Sequence, residues 1–144
     1  MKIALFALPI LVLGIAAQAA ETKLTQASKY AGEEKRSIKS LSPDDIAELR
    51  RGGGWGLAKA AELNGVPGPA HLLEMKDKIP LTDDQVLAID ETYKKMKAQA
   101  IQQGERLIAL EQELELLFRS GSITQNALRS SLSKIAKARM ELRF

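Results

Sequence analysis

The sequence of 144 residues contains no cysteine, a single histidine and few aromatic residues. Because no disulfide can form, stability has to come from helix packing or from association between chains. One histidine without any cysteine leaves no nucleophile and base pair for covalent catalysis. The aromatic content of 4% and the net charge of +3 also argue against a nucleic-acid-binding domain. We therefore expect a protein that binds other molecules, not an enzyme, and we expect it to need no cofactor.

The N-terminus has the pattern of an export signal. Lys2 precedes an apolar run over residues 3–15, and Ala17-Gln18-Ala19 supplies the small residues of a cleavage site. The apolar run is too short for a comfortable membrane span, and without cysteine no lipid can be attached at the cleavage point. We predict that residues 1–19 are removed as a signal peptide, that no stable membrane insertion remains, and that the mature chain is periplasmic.

The mature chain is predicted to consist of an arm and one helical domain. Residues 20–41 are polar, mixed in charge and without apolar periodicity, which predicts a mobile N-terminal arm. From residue 42 onwards no stretch alternates with the period of two that marks a strand. Short helices are expected over residues 43–51, 55–63 and 69–78, and the glycine-rich residues 52–56 are interpreted as a flexible hinge. Residues 42–144 are therefore predicted to form an all-α domain.

The clearest pattern is a long amphipathic helix over residues 83–118. Thr82 and Gln85 can form a reciprocal capping box at its start, where the helix dipole also favours Asp83 and Asp84. Its apolar residues recur at intervals of three and four, as in a heptad repeat. They are Val86, Ile89, Tyr93, Met96, Ala100, Leu107, Leu110, Leu114 and Leu117. A second amphipathic helix follows a short turn at residues 120–122, so we predict an antiparallel helical hairpin.

A sequence motif at the head of the long helix resembles a known family. Leu81-Thr82-x-x-Gln85, in an exported and cysteine-free chain, resembles the LTxxQ motif of the Spy/CpxP family of periplasmic chaperones and stress proteins. Ile123 and Thr124 resemble the start of the second copy that such proteins carry, with alanine in place of its glutamine. The resemblance implies a hairpin that dimerises into a cradle and binds unfolded or misfolded periplasmic proteins without ATP. A long helix covered by one of half its length also predicts a homodimer, since part of its apolar seam stays open.

Basic residues on the two long helices are the expected client-binding positions. Grouped on the concave side of a dimer, they would attract acidic segments of unfolded proteins, while neighbouring apolar residues make the short-range contacts. Neither interaction requires a particular client sequence, so binding would be promiscuous. The positions are Lys94, Lys97, Arg106, Arg129, Lys134 and Lys137.

Two other functions remain open. The superfamily of the LTxxQ proteins also contains periplasmic heavy-metal sensors, and His71, Glu74 and Met75 lie at positions i, i+3 and i+4 of one short helix. A single imidazole makes a poor metal site, so we predict no metal site. These three residues are only weak candidates for metal ligands. The other possibility is a structural module whose heptad seam binds one specific partner helix of a signalling protein.

Overall fold

The computed structural model describes residues 29–144, so the predicted signal peptide and the beginning of the predicted arm lie outside the described residues. The described chain contains no strand, and its helices are α1 (Pro43–Arg50), α2 (Lys59–Leu63), α3 (Pro69–Glu74), α4 (Asp83–Arg119) and α5 (Gln125–Arg143). α5 packs against α4, while α1 and α3 pack on α4 separately. The prediction of an all-α fold, with a long helix against a C-terminal helix and short N-terminal helices, is confirmed.

Local capping explains where the two long helices begin. The Thr82 hydroxyl accepts from the Gln85 backbone N–H at 3.3 Å, and the Gln85 side chain accepts from the Thr82 N–H at 2.9 Å. α4 ends at the turn around Gly121, whose φ of +64° suits a residue without a Cβ. Thr124 then accepts from the Ala127 N–H at 3.2 Å, and alanine has no side chain to reach back. The first LTxxQ motif therefore forms a complete capping box, and its second copy forms half of one.

The hydrophobic core lies around the C-terminal half of α4. Its buried residues are Ile38, Leu41, Leu49, Leu107, Ile108, Leu114, Ile135 and Ala138. Leu107 and Leu114 belong to the predicted heptad seam, whereas Ile108 does not. The buried face of α4 is wider than a heptad seam because α5 and α1 pack on adjacent sides of the helix. In the N-terminal half of α4, Val86 and Ile89 are only half-buried.

The prediction of a mobile arm over residues 20–41 is wrong for its last residues. Ile38 and Leu41 are 4% and 1% exposed and belong to the core. The Lys39 ammonium lies 2.6 Å from a carboxylate oxygen of Glu115, and the Ser40 hydroxyl donates to Glu111 at 2.8 Å. Ile38 and Leu41 are two apolar residues in a polar stretch and form no periodic pattern. The sequence therefore could not show that they are core residues and not part of a solvated arm.

The short helices are also shorter than predicted. α2 begins at Lys59 and not at residue 55, because Trp55 has a φ of +43°, which is incompatible with a right-handed helix. α3 ends at Glu74, and residues 75–80 form turns. No helix in residues 29–144 combines the length and the apolar character needed to cross a membrane.

α1 lies unusually close to α4 at Gly104. A Cβ placed on Gly104 would lie 2.5 Å from the Leu49 carbonyl oxygen, closer than van der Waals contact permits. Lys39 contacts Glu115 at one end of this interface, while Leu49 lies against Gly104 at the other, so α1 runs antiparallel to α4. This close approach positions the glycine-rich segment that follows α1 beside the middle of α4.

Candidate functional site

A groove of about 570 Å³ opens where six segments of the chain meet. They are the end of α1, the glycine-rich loop over residues 52–58, α2, the start of α3, the middle of α4 and the end of α5. Its large apolar side chains include those of Trp55, Leu57, Tyr93, Met96 and Leu142. A volume of this size, with mostly apolar walls and a few polar groups, is typical of sites that bind a ligand.

Trp55 connects the glycine-rich loop to two helices, α1 and α5. Its indole N–H donates to a carboxylate oxygen of Asp45 in α1 at 2.8 Å. The guanidinium of Arg139 in α5 lies over its ring, 5.2 Å from the centroid. Its own backbone N–H lies 3.5 Å from Glu48, whose carboxylate also pairs with Arg51. The segment predicted to be a hinge therefore forms one wall of the groove, anchored through the side chain of the chain's single tryptophan.

A buried carboxylate holds Arg139 in place behind Trp55. Glu111 of α4 is 5% exposed and accepts hydrogen bonds from the Ser40 hydroxyl and from the Arg139 guanidinium, both at 2.8 Å. A buried carboxylate needs such partners because burial removes its hydration. The contacts continue from Glu111 through Arg139 to Trp55 and Asp45. This polar network links α1, α4, α5 and the loop on the protein side of the groove.

The carboxylate of Asp45 depends on this arrangement. Hydrogen bonds from the Ser42 side chain and the Trp55 indole, with a further bond from the Ser42 backbone, lower the pKa of Asp45 below its ordinary value. A carboxylate with a depressed pKa stabilises the folded state above the pKa of about 3.9 that it has in the unfolded chain. That stabilisation is lost as the pH falls through the folded-state pKa.

We expect the free energy of unfolding of Asp45→Asn to depend less on pH under acidic conditions than that of the wild type. The wild-type free energy of unfolding should fall below about pH 4, and the variant should lose part of this dependence while being about 1 kcal/mol less stable near neutral pH. Urea unfolding followed by Trp55 fluorescence at several pH values measures both effects. Asp44→Asn is the control, because Asp44 is exposed and makes no side-chain hydrogen bond within residues 29–144. An equal pH dependence of the wild type and Asp45→Asn under acidic conditions would contradict the assignment.

The structure does not bring the three weak metal-ligand candidates, His71, Glu74 and Met75, together as a metal site. His71 lies in the groove wall, and its Nδ1 is 3.1 Å from a carboxylate oxygen of Glu62 in α2. Glu74 and Met75 are exposed. In the described part of the chain, no group of three or more histidine, aspartate and glutamate side chains is placed to hold a metal ion.

The predicted client-binding residues are spread around the hairpin. Lys94 pairs with Asp90 at 2.6 Å, and the Lys97 ammonium lies 5.7 Å from the centroid of the Tyr93 ring beside the groove. Arg106 lies nine positions beyond Lys97, on the opposite side of a helix with 3.6 residues per turn. Three further candidates on α5 are exposed: Arg129, Lys134 and Lys137. A single chain therefore does not collect this basic set on one face.

Sequence reasoning missed the residues that build the groove. Lys59 and Arg143, which carry its exposed positive charges, lie more than eighty residues apart in the chain and share no pattern. The one available signal was a lone tryptophan within a glycine cluster, because so large an apolar side chain seldom occurs in an unstructured hinge.

No protein-family model, curated protein or solved structure matches this chain. The groove, the polar network and the two helix caps are therefore the observations from which a function can be argued.

Proposed function

We propose that the protein is a periplasmic, ATP-independent chaperone that captures unfolded or misfolded proteins on accessible apolar side chains of its helical hairpin. The observation that carries this proposal is that part of the heptad seam is exposed. In the middle of α4, no helix within residues 29–144 buries it. Tyr93 is half-buried there, and Met96 is 40% exposed beside the groove. α5 ends near this point, so the apolar side chains face an open space.

The chemistry of the exposed side chains suits many different clients. Methionine is flexible and polarisable, so it adapts to apolar groups of different shapes. Large apolar side chains that remain exposed in the described chain include Met75, Met96, Met140, Leu63, Leu116, Phe118, Leu132 and Phe144. The basic residues between them add long-range attraction without selecting a client sequence. The export signal in the sequence supports a periplasmic location.

The construction of the glycine-rich loop supports capture without nucleotide. A phosphate-binding loop follows a strand and presents unoccupied backbone N–H groups together with lysine and serine or threonine. Here the loop follows helix α1, and the Gly52 and Gly53 N–H groups donate to the carbonyl oxygens of Leu49 and Glu48. The groove walls contain no serine, threonine or cysteine. These features favour a binding role over group transfer.

We also propose that the chain forms a homodimer. Val86 and Ile89 lie on the seam of α4 beyond the end of α5, and of the helices in residues 29–144 only the six-residue α3 packs on this half of α4. A second copy laid antiparallel on the same surface would cover it and would add an equivalent seam. Light scattering of the purified protein measures the mass of the assembly directly.

Purified protein is expected to slow the aggregation of an unrelated unfolding protein at a near-stoichiometric ratio, without nucleotide. Met96→Glu should lose most of this effect, because it places a charge on the open apolar seam. Leu87→Glu is the matched control: Leu87 is 64% exposed and lies nine positions earlier, on the opposite side of α4. Turbidity of the client measures suppression, and thermal melts confirm that both variants are folded.

The outcomes separate the proposal from its alternatives. If Met96→Glu and Leu87→Glu suppress client aggregation equally well, the open seam is not the capture surface. No suppression for any of several clients, together with stoichiometric metal uptake that is lost in His71→Ala, would favour the heavy-metal-responsive protein. One tight partner recovered from periplasmic extract in place of many weak ones would favour the structural module.

A further inference from the structure

A second cavity continues the groove towards α2. It has a volume of about 370 Å³ and shares Gly56, Leu57, Lys59 and Arg143 with the larger groove. The two cavities form one trough, with an apolar part over Trp55 and Met96 and a smaller part that ends at Leu63 of α2. Lys59 and Arg143 line both parts and therefore lie where the two cavities meet.

At this junction, two cations are not paired with the carboxylates of the trough walls. Of the carboxylates in its walls, Glu48 pairs with Arg51, and Glu62 lies against His71. Behind Trp55, Arg139 is engaged by Glu111. Lys59 and Arg143 are exposed and make no ion pair within residues 29–144. An anionic group at the junction would meet two cations without displacing an existing partner.

The backbone of α4 and of the turns in the loop offers little to an extended peptide. Tyr93, Met96 and Ala100 line the groove from the interior of α4, where helical hydrogen bonds engage the backbone. In the loop, the Leu57 N–H donates to Gly54 and the Lys59 N–H to Gly56, in addition to the bonds from Gly52 and Gly53 to α1. A peptide laid along the trough would leave its own N–H and C=O groups without partners, at a cost for each group that is buried. A hydrocarbon chain has no such groups.

We propose that the trough binds one molecule of an anionic single-chain amphiphile, such as a long-chain carboxylate. Its hydrocarbon chain lies along the apolar groove over Trp55, Tyr93 and Met96. Its headgroup lies at the junction, where the Arg143 guanidinium can donate two parallel hydrogen bonds and Lys59 supplies a second positive charge. Binding of this ligand does not depend on the proposed chaperone function, although Tyr93 and Met96 would contact both the ligand and a client.

The test uses the purified protein and dodecanoate below its micelle concentration, near neutral pH. The single tryptophan lies in the wall of the groove, so Trp55 fluorescence reports occupancy, and calorimetry gives the stoichiometry. We expect one dodecanoate per chain and saturable binding. Affinity should rise by roughly fourfold for each CH₂ added between octanoate and dodecanoate, as expected for burial of a hydrocarbon chain. Dodecyltrimethylammonium has the same chain with a cationic headgroup and should bind at least about tenfold more weakly.

Variants at Lys59 and Arg143 test whether the headgroup binds at the junction. Lys59→Glu together with Arg143→Glu should reverse the preference between the two amphiphiles, and Lys59→Gln with Arg143→Gln should weaken dodecanoate binding without favouring the cation. Lys134→Glu with Lys137→Glu makes the same charge change on the exposed side of α5 and should leave binding unaltered. Thermal melts establish that each variant is folded before binding is measured.

Several results would overturn the proposal. Equal affinity for the anionic and cationic amphiphiles would show that Lys59 and Arg143 do not bind the headgroup. Affinity that is independent of chain length would show that the groove does not bind the hydrocarbon chain. Tighter binding of an acidic, leucine-rich peptide that displaces dodecanoate would assign the trough to peptides. Binding to anionic vesicles without binding of free dodecanoate would assign the two cations to a membrane surface. None of these results bears on suppression of client aggregation by the wild-type protein.

Discussion

Replacing Gly104 with alanine is expected to destabilise the protein by about 2 kcal/mol, although alanine is the better helix former. Gly104 lies in the interior of α4, where the exchange alone would favour folding by about 1 kcal/mol. The added Cβ would lie 2.5 Å from the carbonyl oxygen of Leu49 and 3.0 Å from its carbonyl carbon. Backbone atoms cannot rotate away as a side chain can, so α1 has to move off α4. That movement loosens the packing of Leu49, which is a core residue.

The control for Gly104→Ala is the reverse exchange at an exposed site of the same helix. Ala98→Gly should cost about 1 kcal/mol through helix propensity alone, since Ala98 is exposed. A methyl group is therefore expected to stabilise the helix at position 98 and to destabilise the protein at position 104. Urea unfolding followed by circular dichroism measures both, and Trp55 fluorescence should change only in Gly104→Ala. A more stable Gly104→Ala variant would mean that α1 does not approach α4 as closely as described.

Arg139→Leu is expected to destabilise the protein by about 2–3 kcal/mol, because it leaves the Glu111 carboxylate without its cationic partner. The Glu111 side chain is only 6% exposed, whereas that of Arg139 is 44% exposed. Solvent around Arg139 screens the pair, so the cost should lie below that of a fully buried ion pair. The variant also removes the cation over Trp55, and the fluorescence of the folded state should change with it.

A double variant separates the unpaired charge from lost packing. Glu111→Leu with Arg139→Leu should recover much of the stability that Arg139→Leu loses, because no charge remains buried. Glu111→Gln alone should cost less than Arg139→Leu, since a neutral amide still accepts from Ser40 and carries no charge to desolvate. Urea unfolding of the wild type, Arg139→Leu, Glu111→Leu and the double leucine variant completes the cycle, and Glu111→Gln is measured beside them. Strictly additive losses would show that Glu111 and Arg139 are not energetically coupled.

The start and end of α4, the start of α5 and the order of the helices could be predicted because they depend on neighbours in sequence. A capping box needs only Thr82 and Gln85 three residues apart, and it forms as the motif predicts. The turn around Gly121 is too short for any arrangement of α4 and α5 other than a hairpin. The all-α class follows from the same local signals.

The buried side of each helix depended on partners that are distant in sequence. α1 and α5 meet α4 on adjacent faces, so Ile108 and Glu111 are buried in addition to the heptad positions Leu107 and Leu114. Ile38 and Leu41 look like isolated apolar residues in a solvated arm until the hairpin supplies a surface for them. Periodicity describes one helix at a time and contains no information about which faces its partners occupy.

The groove is the clearest case of a feature that only tertiary packing creates. Its charged and apolar residues come from a loop, from α2 and from four further helices, with no spacing in common. It exists because Gly104 and Gly52 let α1 lie close enough to α4 to place Trp55 under Arg139. Local interactions, which act over a few residues, determine the helices and their ends in the sequence itself. Long-range contacts between side chains and backbone determine the core, the polar network and the groove, because those contacts exist only after the helices have packed.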